Sequence, residues 1–169
     1  LEKLAIQPIV YTVKDNQQET EQLIKEALAK GDLLILSGGI SVGDYDFVGK
    51  TLEKLNVKNI FYKIKQKPGK PLFFGKKENV LIFALPGNPA AVLSCFYNYV
   101  YPSLRLLQGF SSTFLKSVLL PISCNYPKKK GLSNFLKSRT ANNEVTPLNG
   151  QESYILSSFA LADSMIYLQ

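Results

Sequence analysis

Three short stretches of this chain carry residue types suited to holding an anion. The first, Ser37-Gly38-Gly39-Ile40-Ser41-Val42-Gly43-Asp44-Tyr45-Asp46-Phe47, follows the apolar run Leu33–Leu36. A buried strand that ends in a glycine-rich turn and passes into a helix offers bare N–H groups and a helix N-terminus to a negatively charged ligand. Ser37 and Ser41 add hydroxyls, and Asp44 and Asp46 add carboxylates of the kind that hold Mg²⁺. The second stretch, Lys67-Pro68-Gly69-Lys70-Pro71, sets two ammonium groups on a stiff Pro-Gly frame. The third, Pro86-Gly87-Asn88-Pro89, joins a glycine turn to a helix start, with Asn88 suited to the N-cap and Pro89 to the first helical position.

Each stretch also has a plain structural reading. A Ser-Gly-Gly turn alone is a strand-to-helix turn, Asp46 can cap the helix that follows, and Asp44 can be solvated. Lys67 and Lys70 can be exposed charges on a tight turn. The combination is more telling than any single piece, because loops at the C-terminal ends of parallel strands open on one crevice.

Composition narrows the chemistry. The chain has 169 residues and no histidine, which removes Ser-His-Asp and Cys-His catalysis. Its two cysteines, Cys95 and Cys124, are far apart and not at ligand spacing, so a structural zinc site is not expected. Cys95 falls in a helical apolar pattern and reads as core. The net charge of +7 suits an anionic partner: nucleic acid, a membrane surface or a phosphorylated small molecule. Lysines gather at 63–70 and 128–130 without interleaved aromatics or a helix-turn-helix, zinc-finger or RNP pattern, so nucleic acid is not the expected partner. No apolar run approaches the ~20 residues that span a bilayer, and the opening LEKLAIQPIV lacks a signal-peptide plan. A cytoplasmic location is expected.

The elements that position the three stretches follow from periodicity. Residues 1–4 read as a helix tail, and Pro8–Val13 as a β-branched strand. Asn16 and Glu19 form a capping pair for a helix through Leu23, Ile24, Ala27 and Leu28, ended by Gly31. A strand at Leu33–Leu36 follows, so a right-handed parallel strand-helix-strand unit is expected. Val48, Leu52 and Leu55 give a short helix, and Asn59–Lys65 a strand. Leu72–Phe74 and Val80–Ala84 are strands joined by Lys76–Asn79. A long helix after Asn88 buries Val92, Cys95, Phe96, Tyr99 and Val100, and stops at Gly109. Beyond Phe110 the texture turns to short strand candidates at Leu115–Ile122, Leu132–Thr140, Glu144–Pro147, Ile155–Ser158 and Ser164–Leu168. The expected division is an α/β domain at 1–109 and a small β-rich domain at 110–169.

SGGISVGDYDF (37–47), KPGKP (67–71) and ALPGNPAAVLS (84–94), in this order and spacing, resemble the molybdopterin molybdenumtransferase family, which includes the gephyrin E domain. The likeness covers most of residues 10–109; GQESYILSS (150–158) resembles the family's C-terminal barrel domain more weakly. The resemblance implies a three-layer α/β/α molybdopterin-binding domain with a mostly parallel sheet, followed by a small all-β barrel-like domain. It implies a reaction in which molybdate is inserted into adenylylated molybdopterin and AMP is released with the help of Mg²⁺. By motif position, Ser37, Gly38, Gly39, Ser41 and Gly43 hold the pterin phosphate or nucleotide, with Pro86, Gly87 and Asn88 on the facing loop. Asp46 matches the acidic residue tied to catalysis and Mg²⁺, and Asp44 a more variable slot. Lys67, Lys70 and Pro71 match the place that receives molybdate, and Ser153 a serine from the tail near the same oxyanion. Lys137 stands near an expected arginine and keeps its charge without the bidentate fork, with Arg139 as a looser substitute. Ala90-Ala91 replaces a frequent serine.

The resemblance also implies a preceding region, including the first strand of this domain, that completes the site, often across a homodimer. The chain is therefore expected to be part of a longer protein. Two other functions share parts of the pattern. Molybdopterin adenylylation uses the same SGG and PGNP loops, and a non-catalytic gephyrin-like scaffold module shares the fold.

Overall fold

The computed structural model describes residues 1–14, 16–40, 47–152 and 154–169. Asp15, Ser41–Asp46 and Ser153 lie outside the described residues. A 3-10 turn at Glu2–Leu4 stands where a helix tail is expected. Helix α1 (Gln17–Leu28) starts where the capping pair predicts: Asn16 Oδ1 accepts from the N–H groups of Gln18 and Glu19. Strand β1 (Leu33–Ser37) follows, then α2 (Phe47–Lys54), β2 (Lys58–Tyr62), the two-residue β3 (Gln66–Lys67), β4 (Phe73–Lys77) and β5 (Val80–Leu85).

The first sheet has the order β1-β5-β4-β2. Among the described residues of this sheet only β1 and β5 run parallel, with Leu33 beside Leu81 and Ser37 beside Leu85; β5–β4 and β4–β2 are antiparallel. The mostly parallel sheet expected from the sequence is therefore corrected to a mixed one. The cause is local, since the tight turn at Glu78-Asn79 returns β4 directly into β5 as a hairpin, with Glu78 at φ 51°.

Side chains alternate between the two faces of this sheet, as the two-residue period requires. Leu34, Leu36, Ile82 and Ala84 join Ile24 of α1 and Val48 and Leu52 of α2 in one apolar cluster. Leu33, Ile35, Phe83 and Leu85 join a second cluster with Cys95, Val100 and Leu104. Phe74 and Phe83 stack there at 4.6 Å between centroids.

The second cluster rests on the helical run after Asn88. Asn88 caps α3 (Pro89–Cys95) by accepting from the Ala90 N–H, and Pro89 takes the first turn. A π-helical turn (Phe96–Val100) links α3 to α4 (Tyr101–Leu107). Pro102 explains the wider turn: it has no N–H to give to the carbonyl four residues back, and the Tyr101 N–H donates to Phe96, five back.

The strand expected at Pro8–Val13 does not form. Its residues are β-branched, but strand propensity needs a ladder partner, and none of the described residues supplies one. Ile9 and Val10 are exposed, and Tyr11 reaches Glu26 Oε1 of α1 at 3.2 Å. The parallel strand-helix-strand unit expected around α1 is accordingly absent among the described residues.

The tail builds a second sheet from β6 (Ser133–Ala141), β7 (Glu144–Pro147) and β8 (Ser164–Leu168), with β7 and β8 antiparallel to β6. Leu136, Val145 and Ile166 form its small core with Leu120, Ile122 and Tyr126 packed against it. Leu115–Ile122 is not a strand; one bridge, Ile122 to Val145, is made, and Val118 and Leu119 are exposed. Ile155–Ser158 is not a strand either. The chain coils there into α5 (Ser157–Leu161), with Ser158 Oγ donating to carbonyls of Gly150 and Ile155. The tail is thus not all-β, and no closed barrel forms among the described residues.

The two sheets are joined. Gln66 and Lys67 of β3 pair in parallel with Ser133 and Asn134 of β6. Met165 of β8 brings its sulfur to 4.0 Å from Ser94 Oγ and 3.9 Å from Asn98 Nδ2 on the helical run.

Two measurements test this packing. Ile82 is fully buried on the central strand, so Ile82→Ala should cost ~2–5 kcal/mol in urea denaturation, whereas Val118→Ala, at 77% exposure, should stay within ~0.5 kcal/mol. Burial pushes the Cys95 thiol up to about 12, while Cys124 is exposed. At pH 8 a thiol-titrating disulfide reagent should modify one cysteine per native chain, and Cys95 should react only on unfolding.

Candidate functional site

The parallel pairing of β1 and β5 decides where two of the three stretches meet. Neighbouring parallel strands end on the same side, so the turn after Ser37 and the turn after Leu85 emerge together. They lie close together: a Cβ built on Gly87 would stand 3.6 Å from Gly38 Cα. Gly38 and Gly39 both have positive φ, 84° and 67°. At Gly39 the constraint is double, because a Cβ would also come within 2.8 Å of Val48 Cγ2 on α2. Two glycine turns, an exposed Ser37 hydroxyl and the Asn88-capped start of α3 therefore line one edge of the sheet. Pro86 is buried beneath them. Ser41, Gly43, Asp44 and Asp46 of the first stretch lie outside the described residues.

The lysine stretch sits farther along α3. Gly69 (φ 96°) is buried, and a Cβ there would overlap Cys95 Sγ and the Gln66 amide. Lys67 is held through β3 on β6, and the Lys70 carbonyl accepts from the Ile64 N–H at 3.0 Å. Both side chains are exposed and form no ion pair among the described residues. The Lys67–Pro68 peptide is cis.

Sequence reasoning missed Gln66. The alternation Lys63-Ile64-Lys65-Gln66-Lys67 makes it look like another solvated polar residue, yet it is 3% exposed. Its Nε2 donates to the Pro68 carbonyl at 2.9 Å, and its Oε1 accepts from the Tyr99 hydroxyl. Burial pushes the Tyr99 phenol up to about 12, so it stays a donor. Only proximity in the fold reveals this group; a signal in the sequence would have been a polar residue directly flanking two prolines and a glycine.

Lys137 is the second surprise. It lies on β6 at 5% exposure, and its ammonium donates to the carbonyls of Gly150 (2.7 Å), Glu152 (3.3 Å) and Ile155 (3.2 Å). Its backbone N–H and carbonyl are bound by the Gln151 side-chain amide. Three donors on three carbonyls use the full capacity of the ammonium. Desolvation by burial holds its pKa below the usual lysine range. The stretch it grips, 150–155, carries Ser153, which lies outside the described residues. Arg139 donates from Nε to the Leu161 carbonyl on the surface. Ala90 and Ala91, in place of the frequent serine, are packed in the interior.

No group of three or more His, Cys, Asp or Glu placed to hold a metal occurs among the described residues. No helix among them is long and apolar enough to cross a membrane.

Residues 1–106 match the family model described as "Probable molybdopterin binding domain". A molybdopterin molybdenumtransferase of Haemophilus influenzae is 36% identical over 176 residues, covering 100% of this chain and 43% of that protein. One from Nostoc sp. is 41% identical over 109 residues, covering 62% of this chain and 25% of that protein. The fold is similar to that of the crystal structure of the molybdopterin biosynthesis moeA protein from Pyrococcus horikoshii OT3, with a TM-score of 0.75 and 23% identity over 99% of this chain and 38% of the other. The chain thus spans less than half the length of each of these three relatives. The match takes in all three stretches, including the two turns that stand side by side, and the chain belongs to the molybdopterin-binding domain family.

Proposed function

We propose that this chain forms the molybdopterin-binding and oxyanion-binding part of a molybdopterin molybdenumtransferase in molybdenum cofactor biosynthesis. The observation that supports this most directly is the close approach of the Ser37-Gly38-Gly39 turn and the Gly87 turn at the ends of two parallel strands. Such an edge suits a phosphorylated pterin, whose phosphoanhydride accepts hydrogen bonds from turn N–H groups and the start of α3. Ser37, Gly38, Gly39, Pro86, Gly87 and Asn88, together with Ser41 and Gly43, are the proposed substrate-binding residues.

Molybdate, a dianion, is the second substrate. Lys67 and Lys70 are the proposed residues that draw it in, with Pro71 in the same frame and Ser153 as a hydroxyl donor. Two exposed ammonium groups unpaired by carboxylates among the described residues favour a tetrahedral oxyanion. Lys137, with its donors already engaged, is proposed to serve the site through the 150–155 stretch rather than by contact. As the two dithiolene sulfurs bind molybdenum, their protons leave with one molybdate oxygen as water, and AMP leaves as a water cleaves the phosphoanhydride. Asp46, with Asp44 as a weaker candidate, is the proposed seat of Mg²⁺, which would offset the charge developing on the leaving phosphate.

The expected three-layer α/β/α arrangement is supported by the apolar clusters on the two faces of the first sheet. Residues 1–109 and 110–169 are proposed as its two domains. A homodimer of the longer protein is part of the proposal, as is a cytoplasmic location; the exposed apolar run Phe114, Val118 and Leu119 suits contact with further protein surface. Molybdopterin adenylylation explains the two glycine turns equally well, but it leaves the lysine loop without a task.

Molybdate-dependent release of AMP from adenylylated molybdopterin, by the longer protein, tests the reaction. Asp46→Asn should reduce that release by a factor of ~100 or more while leaving ligand binding within ~3-fold. Unchanged turnover would refute the role of Asp46. Lys67→Met and Lys70→Met should each weaken molybdate binding by about 10-fold, and the effect should shrink as salt rises. AMP release that ignores molybdate would favour the adenylyltransferase-like reading.

A further inference from the structure

We propose that Gln66, fastened by Tyr99, is the positioning residue that sets the two lysines of the Lys67–Pro71 loop for an oxyanion. The inference rests on the oxyanion reading of Lys67 and Lys70. A loop with two long, flexible, solvated side chains acquires a defined spacing only if its backbone is held.

The geometry begins with the amide. Gln66 Nε2 donates to the Pro68 carbonyl, which can only accept, so the orientation of the amide is dictated by its partners. The oxygen then faces Tyr99, whose hydroxyl must donate. The amide also lies 3.6 Å from Cys95 Sγ, and Gly69 is seated against both groups with no room for a Cβ. A side chain at 3% exposure with its donor and acceptor both engaged is a rigid anchor in a low-dielectric setting.

The anchor joins three parts of the molecule. Through Pro68 it holds the middle of the loop between Lys67 and Lys70. Through Tyr99 it ties that loop to the π-helical turn that Pro102 imposes on the helical run. Through the backbone of β3, where Gln66 pairs with Ser133, it ties both to the tail sheet. A cavity of about 290 Å³ opens beside it, lined in part by Gln66, Tyr99, Phe135 and Tyr167. Without the amide, that space would admit water to the Pro68 carbonyl and release the loop.

Neither Gln66 nor Tyr99 reaches an exposed lysine ammonium, so the effect travels through the backbone. Gln66→Met keeps the volume and removes both hydrogen bonds. Gln66→Glu keeps the acceptor for Tyr99 but places an oxygen against the Pro68 carbonyl. Tyr99→Phe removes only the hydroxyl. Ile82→Val, in the cluster on the other face of the sheet, is the control for general destabilisation.

Two readouts on the longer protein decide the matter: hydrogen exchange of the peptide spanning 66–71, and calorimetric affinity for molybdate. Gln66→Met should speed exchange in that peptide and weaken molybdate binding, each by about tenfold. Gln66→Glu should do at least as much and Tyr99→Phe somewhat less, while Ile82→Val leaves molybdate affinity unchanged. The Gln66→Met and Tyr99→Phe effects should be non-additive in the double variant. Unchanged loop exchange in both Gln66 variants overturns the proposal, and so does faster exchange with unaltered molybdate affinity. If the wild-type longer protein binds no molybdate, the oxyanion reading falls and takes the ligand role of the anchor with it; lysine variants without effect on a molybdate affinity that Gln66→Met lowers overturn the proposal as well, because the anchor then acts through something other than Lys67 and Lys70.

Discussion

The parallel ladder between β1 and β5 is the constraint on which the rest of the site depends. Ser37 lies beside Leu85, so the first glycine turn and the Gly87 turn leave the sheet together and close to one another. Neither turn could shift by a residue without moving its strand to the wrong face. A slip of one would carry Leu34 and Leu36 of β1, or Ile82 and Ala84 of β5, from the cluster under α1 and α2 to the face covered by α3 and α4. Burial on both faces thereby fixes register, and register fixes the turns. With each large side chain contributing ~1.5–3 kcal/mol on burial, the site inherits its precision from the core beneath it.

The lysine loop is built on a different principle. It has little regular structure of its own, and its backbone is held by contacts with two distant pieces of chain, β6 through Lys67 and the Cys95–Tyr99 stretch through Gln66 and Gly69, and by a local one to Ile64 through Lys70. Polar groups buried there are satisfied by one another, as a buried network must be if it is to be stable. Lys137 follows the same logic in the tail. An ammonium removed from water is tolerable because three carbonyls replace the water, and a stretch of irregular chain is ordered around it.

Local signals in the sequence were reliable where the cause is local. Asn16 and Asn88 cap their helices, Pro89 opens α3, Gly39 stands at positive φ, and Cys95 belongs to the core, each for a reason contained in a few neighbouring residues. The apolar stripe through Val92, Cys95, Phe96, Tyr99 and Val100 also needed only periodicity. The three motifs in their order were enough to identify the family. Pro8–Val13, Leu115–Ile122 and Ile155–Ser158 read as strands for equally local reasons and are not, because a strand exists only through a partner that propensity cannot name.

What the sequence determined by itself was therefore the helix starts, the glycine turns, the apolar stripes and the chemical character of the three loops. These depend on backbone sterics, capping and spacing, all short-range. The tertiary structure decided the direction of β4, the join of β3 to β6, and the burial of Gln66 and Lys137. Each of those depends on which distant residue arrives alongside. Gln66 shows the difference: within its own segment it is one more polar residue among lysines, and only Tyr99, 33 positions away, makes it an anchor.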